Sequence, residues 1–316
     1  MIGDDMIKKL FFLFFILIPS VSYSRDFEIG MCVHVDKYEL SSEKIVTYLK
    51  RYNITSVRID YPWRLVEKTR GIYQPASEKL DNFIALAEKN NINVLIILDY
   101  GNVLYGGGKP YTEEQVKAFS DYAAWVTIHF KKYHPTYEIW NEWSVQKYHS
   151  DELLVKSAIA YLNLVKKSSK RIKEEDAESN VIAGSFITSF SWDWAWAKYL
   201  SNHGLLDYVD GVSLHPYNYA MKSIPSAEQS INDITTFKKS VFGEKHVDLF
   251  ITEYGFPHDK NSVKNISNLS NYMNDYMHFA SKTKYIKGVW FYELIDEVYD
   301  KPNPNFGLLT SHLLAK

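Results

Sequence analysis

The chain has 316 residues, with 36 Lys and Arg against 38 Asp and Glu and a formal net charge of −2 at pH 7. That balance provides no broad basic surface for nucleic acid or for an anionic membrane. A single cysteine, Cys32, excludes an internal disulfide framework, so the fold has to stand on its apolar core.

The first segment reads as an export signal rather than as part of the fold. Lys8 and Lys9 precede the apolar run Leu10 to Ile18, and Ser22 and Ser24 supply small residues ahead of a cleavage point. The run is short for a membrane span. The expectation is a signal over residues 1–24, a catalytic domain over 25–316, and a monomer in the periplasm or medium with no membrane contact after cleavage. An uncleaved anchor is the alternative.

Beyond it, short β-branched runs alternate with stretches of helical period. The spacing predicts strands at Phe27–His34, Ser56–Asp60, Val94–Asp99, Tyr137–Trp140, Val181–Ser185, Gly211–His215, Leu249–Thr252 and Gly288–Tyr292. Most are almost continuously apolar, as strands covered on both faces of a parallel sheet should be. Between them, Leu80, Phe83, Ile84 and Ala87 keep helical spacing behind Ser77 as N-cap. Thr112 and Gln115 form a capping-box pattern ahead of Val116, Phe119, Ala123, Val126 and Phe130. Leu154, Ala158, Tyr161, Leu162 and Val165 continue the series. No linker, repeat or charge block divides these units. Eight of them in one uninterrupted chain predict a single-domain (β/α)8 TIM barrel, with a doubly wound open sheet as the alternative.

A barrel of this kind gathers its chemistry at the C-terminal ends of the strands. Those ends carry His34, Arg58, Asp60, Asp99, Asn141, Glu142, Ser185, His215, Tyr217, Glu253, Trp290 and Glu293. Six of the 8 Trp residues (Trp63, Trp143, Trp192, Trp194, Trp196 and Trp290) also fall at or just beyond strand ends, whereas Trp125 sits inside a helix. A rim of exposed indoles for stacking sugar rings is expected from that placement. Two glutamates dominate the set. Glu142 follows "YEIWN" on the fourth strand and Glu253 follows "LFIT" on the seventh, so the two face each other across one mouth. Opposed carboxylates are what cleavage of a glycosidic bond requires: one protonates the leaving oxygen, and the other attacks or activates water.

"IWNE" and "ITEYG" resemble the acid/base and nucleophile motifs of clan A retaining glycoside hydrolases. "HPY" at 215–217 is similar to their sixth-strand motif, and Trp290 in "GVWFY" to their eighth-strand Trp. "VRIDYPW" and "NFGLL" look most like family 39 and its relatives, which include bacterial exopolysaccharide endoglycosidases. The likeness covers essentially the whole chain after the signal. It implies that Glu142 is the general acid/base, that Glu253 is the nucleophile, and that Asn141 bonds the sugar 2-hydroxyl. It also implies that Tyr217 and Arg58 keep Glu253 ionised and that Trp290 floors the central subsite. His34, Asp99, His215 and Trp143 are further candidates for sugar contacts. Aromatic surroundings lead us to expect a raised pKa at Glu142. The chain departs from the clan in having Trp143 where many members place Pro after Asn-Glu, which affects subfamily and substrate rather than the catalytic pair.

Other motifs fail. Gly108-Lys109 has Val103 where a phosphate loop needs glycine, and "GVSLH" has His215 in place of the second glycine of a nucleophile elbow. His129 with His134, and His258 with Asp259, lack partners at metal-ligand spacing. No metal and no cofactor is expected. The expected activity is hydrolysis of a polysaccharide or oligosaccharide, with endo action favoured by the long aromatic loops. An exo-acting β-xylosidase-like or iduronidase-like enzyme and a non-hydrolytic carbohydrate-binding barrel are the alternatives.

Overall fold

The chain begins its fold with β1 (Glu28–Cys32) and α1 (Ser42–Arg51), a first βα unit. β2 (Ser56–Asp60) is followed by the short α2 (Trp63–Val66), an antiparallel hairpin of β3 (Glu67–Thr69) and β4 (Ile72–Tyr73), and α3 (Glu78–Lys89). The remaining units are β5 (Asn93–Leu98) with α4 (Glu113–Phe130), β6 (Thr136–Ile139) with α5 (Asp151–Glu175), and β7 (Asn180–Phe186) with α6 (Ser191–Asn202). They are completed by β8 (Gly211–Leu214) with α7 (Ala227–Phe242), β9 (Leu249–Tyr254) with α8 (Leu269–Lys282), and β10 (Ile286–Phe291). This is a computed structural model, and it describes residues 27–144, 148–257, 268–296 and 305–309. The segment 1–24 and the pair His258 and Asp259 lie outside the described residues.

All strands except those of the hairpin are parallel and close into a barrel in the order β1-β2-β5-β6-β7-β8-β9-β10. The expected (β/α)8 barrel is therefore present. Except for α2 and α6, the described α-helices begin where a side-chain cap satisfies a free N–H group. Ser77 accepts from the Leu80 amide, and Thr112 and Gln115 form a reciprocal capping box. Closure produces two apolar regions. The larger lies between strands and helices, and a smaller cluster of Cys32, Leu95, Ile97, Ile182, Phe250 and Trp290 fills the barrel itself. Gly30 makes room for the latter, since a Cβ there would meet Trp290 Cδ1 at 2.1 Å. Among the described residues, no helix is long and apolar enough to cross a membrane.

Candidate active site

The fourth barrel strand, β6, ends in a sharp turn that presents the reacting groups. Trp140 and Glu142 adopt φ of 64° and 46°, and Ser185 at the end of β7 has φ of 47°. Such left-handed backbone is costly for residues with a Cβ, of order 1–3 kcal/mol each, and concentrates where a site demands it. Here it turns Asn141 and Glu142 toward the barrel axis. β9 meanwhile delivers Glu253 from a fully buried strand.

The two glutamates and His215 converge, with one carboxylate oxygen of each glutamate and a ring nitrogen of the histidine all within 4.8 Å of one another. His215 Nδ1 lies 2.9 Å from Glu142 Oε1 and 3.7 Å from Glu253 Oε2. Arg58 donates from Nη1 to Glu253 Oε1 at 2.6 Å, from Nη2 to Asn141 Oδ1 at 2.9 Å, and from Nε to Glu138 Oε2 at 2.7 Å. The Tyr217 hydroxyl donates to Glu253 Oε2 at 2.9 Å. Asn141 in turn donates to Tyr100 OH at 2.8 Å. Of the described residues, Glu142, His215 and Glu253 form the one acidic and imidazole group close enough to hold a metal. Arg58 already neutralises Glu253 there, so the donor set suits an organic reaction better than a divalent ion.

Both partners of the Glu142–His215 contact shift. Burial pushes the Glu142 carboxyl up, but the hydrogen bond and charge of His215 outweigh it, and the pKa ends below the usual carboxylate value. Burial pulls His215 down, yet the charge of Glu253 and the bond to Glu142 raise it overall. The expected rise at Glu142 is thus reversed. The aromatic surroundings were visible in the sequence, but the imidazole 73 residues away was not placed by it.

On the opposite lip, His34 lies between Asp60 at 3.2 Å and Glu293 at 3.3 Å. Asp99 sits beside Asp60 and is fully buried. Burial and the neighbouring Asp60 charge raise the Asp99 carboxyl well above the usual carboxylate range. Burial also acts upward on Asp60, but His34 more than offsets it and holds that carboxyl low.

Several expected substrate contacts are not surfaces at all. Trp290 is buried inside the barrel, donating from Nε1 to Ser56 and packing on Phe250. In register with Gly30, it lies one layer below Arg58, which pairs with Cys32. Trp143 is buried between Trp140 and Tyr161, with its indole N–H donated to Ser157. Trp63 and Trp196 are buried as well, and Trp192 and Trp194 are half-buried. The rim of exposed indoles is therefore absent among the described residues. Trp63, Trp143 and Trp196 join the larger apolar region between strands and helices, and Trp194 packs against it. Asp99 and His215 are also closed to solvent and touch site carboxylates instead of the open cleft. Arg58 is buried too but bonds Glu253 and Asn141, while Asn141, Tyr217 and His34 are half-buried at the mouth. Among the described residues, Tyr100 (47% exposed), Tyr111 (46%) and Phe190 (45%) are exposed aromatics, the last stacked on Trp192.

Two features escaped the sequence reading. Tyr292, just beyond β10, packs edge-on against His34 and Phe306, and Phe306 from "NFGLL" also meets Tyr217 and Tyr219. Glu138 is fully buried within β6. Its signal was available: a charged residue inside an otherwise apolar strand.

The sequence matches the family described as "Cellulase (glycosyl hydrolase family 5)" over residues 23–292. No curated protein matches the chain. Solved structures with this fold include a family 39 glycoside hydrolase from the gut symbiont Bacteroides cellulosilyticus WH2, 22% identical with a TM-score of 0.69, covering 91% of this chain and 61% of that one. They also include xylanase 10B from Thermotoga maritima (16% identity, TM-score 0.63, 92% of each chain). A β-glucuronidase from Bacteroides uniformis (17%, TM-score 0.62) is matched over 92% of this chain but 34% of its own. At these identities the likeness is one of fold, so the resemblance to family 39 holds at that level while the sequence itself matches family 5.

Proposed function

Since the chain belongs to the cellulase family, glycosyl hydrolase family 5, we propose that it cleaves a β-glycosidic bond with retention, using Glu142 as acid/base and Glu253 as nucleophile. The observation that carries this reading is the approach of the two carboxylates to within 4.8 Å. Retaining enzymes hold their carboxyl groups about 5–5.5 Å apart, whereas inversion needs about 6.5–9.5 Å to admit a water.

In the first step Glu253 Oε attacks the anomeric carbon while Glu142 delivers its proton to the departing oxygen. The product is a glycosyl ester and a free alcohol. In the second step Glu142, now a carboxylate, takes a proton from water as that water attacks the same carbon and releases Glu253. Arg58 and Tyr217, both donating to Glu253, hold the nucleophile in place. Asn141, fixed by Arg58, has its amide nitrogen beside Tyr100 at the mouth and is placed for a sugar hydroxyl.

We read the substrate as a polysaccharide cut internally, outside the cytoplasm. Support comes from the signal-like pattern in residues 1–24 and from Tyr100, Tyr111 and Phe190, which are exposed on loops around the mouth. The test has two arms. Digestion of carboxymethylcellulose, xylan and bacterial exopolysaccharides, followed by product sizing, should give oligomers first; monomers from the start would mean exo action. In the second arm azide should rescue Glu142→Ala and Glu253→Ala with opposite anomers: a β-glycosyl azide from the former and an α-glycosyl azide from the latter. Full turnover by either variant without azide would sink the assignment.

A further inference from the structure

Glu138 is a buried carboxylate that the reaction scheme above does not use. It sits two residues before the strand-end turn, opposite Ile97 on one neighbouring strand and Ile182 on the other. It accepts three hydrogen bonds from side chains: Arg58 Nε at 2.7 Å, Ser185 Oγ at 2.9 Å and Thr252 Oγ1 at 3.2 Å. The Arg58 bond fixes the plane of the guanidinium, so that Nη1 and Nη2 are aimed at Glu253 and Asn141. The Thr252 bond acts on the other glutamate. Because the hydroxyl proton of Thr252 is directed at Glu138, its lone pair faces His215 Nε2 at 3.1 Å. Nε2 must then carry a hydrogen, which leaves Nδ1 to share a single proton with Glu142.

We propose that Glu138 is a positioning residue for both reacting carboxylates, through Arg58 to Glu253 and through Thr252 and His215 to Glu142. This deepens the acid/base and nucleophile assignment and rests on it. One buried carboxylate thereby sets the orientation of the nucleophile and the proton state of the acid. A group that only filled space in β6 would do neither.

The two arms separate by substitution. Thr252→Val keeps the shape and cuts only the route to His215, whereas Glu138→Gln weakens both routes. The first readout is 15N NMR of histidine-labelled protein, with His215 assigned through His215→Asn. Wild type should show Nε2 protonated at all pH values, and its titration should lie above that of a free imidazole. In Thr252→Val the Nδ1–H tautomer should appear and the titration should move to lower pH, and Glu138→Gln should lower it too. The second readout is hydrolysis of 2,4-dinitrophenyl β-cellobioside, whose leaving group needs no proton. Glu138→Gln should lose at least tenfold in the bond-breaking step, and Thr252→Val less than threefold. If both variants keep the wild-type tautomer and titration, or if both lose activity uniformly with an unchanged pH profile, the proposal is overturned. If Glu138→Gln fails to fold, Thr252→Val and the His215 spectrum still decide. A wild type inactive on the cellobioside, or a fully active Glu253→Ala, would count against the substrate or the catalytic assignment instead, and the tautomer test would stand unaltered.

Discussion

Glu142 and His215 are best treated as one acid holding one proton between them. Their pKa values move apart, Glu142 downward and His215 upward, so the proton resides largely on the imidazole in the free protein. A leaving oxygen arriving at Glu142 draws that proton through the 2.9 Å contact. The pair loses it as pH rises through the elevated His215 value, above the free-imidazole value of about 6.5. We therefore expect activity on a poor leaving group to fall as pH rises past the ordinary imidazole range. His215→Asn should shift that limb to lower pH and cost about 100-fold near neutral pH, the lower end of acid–base effects. A pH–rate profile with the alkaline limb unmoved would contradict this. The same linkage has a stability consequence. A histidine whose folded pKa is raised stabilises the fold below its unfolded pKa, and that contribution fades as pH rises through the folded value.

At the scale of elements, the loop between β7 and α6 is tied to the site by a buried carboxylate. Asp193 accepts from the Ile187 amide at 2.6 Å and pairs with the Ser144 hydroxyl, two residues beyond Glu142. Burial, opposed in part by those hydrogen bonds, pushes Asp193 up to about 7. Its folded pKa lies above its unfolded one, so the native state binds the extra proton and stability falls as pH rises between about 4 and 7. The interval caps the effect at about 4 kcal/mol. Asp193→Asn can donate to Ser144 and still accept from Ile187. It should hold the melting temperature nearly constant over that range while the wild type declines; a parallel decline in both would rule out Asp193 as the source. The "SWDWAW" stretch is accordingly an anchored helix start. Its alternating indoles serve packing, with Trp196 buried against Tyr161 and Phe186.

Among the described residues, Asp60, Glu142, Glu253 and Glu293 at the mouth and the buried Asp99 and Glu138 below it stand against Arg58, His34 and His215. Arg58 is already bonded to Glu138, Glu253 and Asn141. A uronate in the central subsite would meet that field without a dedicated cation among the described residues. Neutral sugars should be preferred over uronic acids by at least 100-fold in kcat/KM, a difference of about 2.7 kcal/mol. Paired aryl glucosides and glucuronides would measure it, and equal rates would refute it.

Strand and helix positions were legible in the sequence because they depend on local periodicity. Continuous apolar runs, the Ser77 cap and the Thr112–Gln115 box read directly into β and α elements. The barrel then placed Glu142 and Glu253 together because both end strands of one closed sheet. What the sequence could not decide was which side chains face the cleft and which charges touch. Trp143 and Trp290 sit at the expected chain positions, yet their burial depends on how loops fold back and on Gly30 in another strand. Arg58 reaches Glu138 and Glu253 across 80 and 195 residues, and His215 overrides the local environment of Glu142 across 73. Position along a strand is a short-range property of backbone and hydrophobic pattern. Exposure and proton affinity are sums over neighbours that only closure of the barrel brings within a few ångströms.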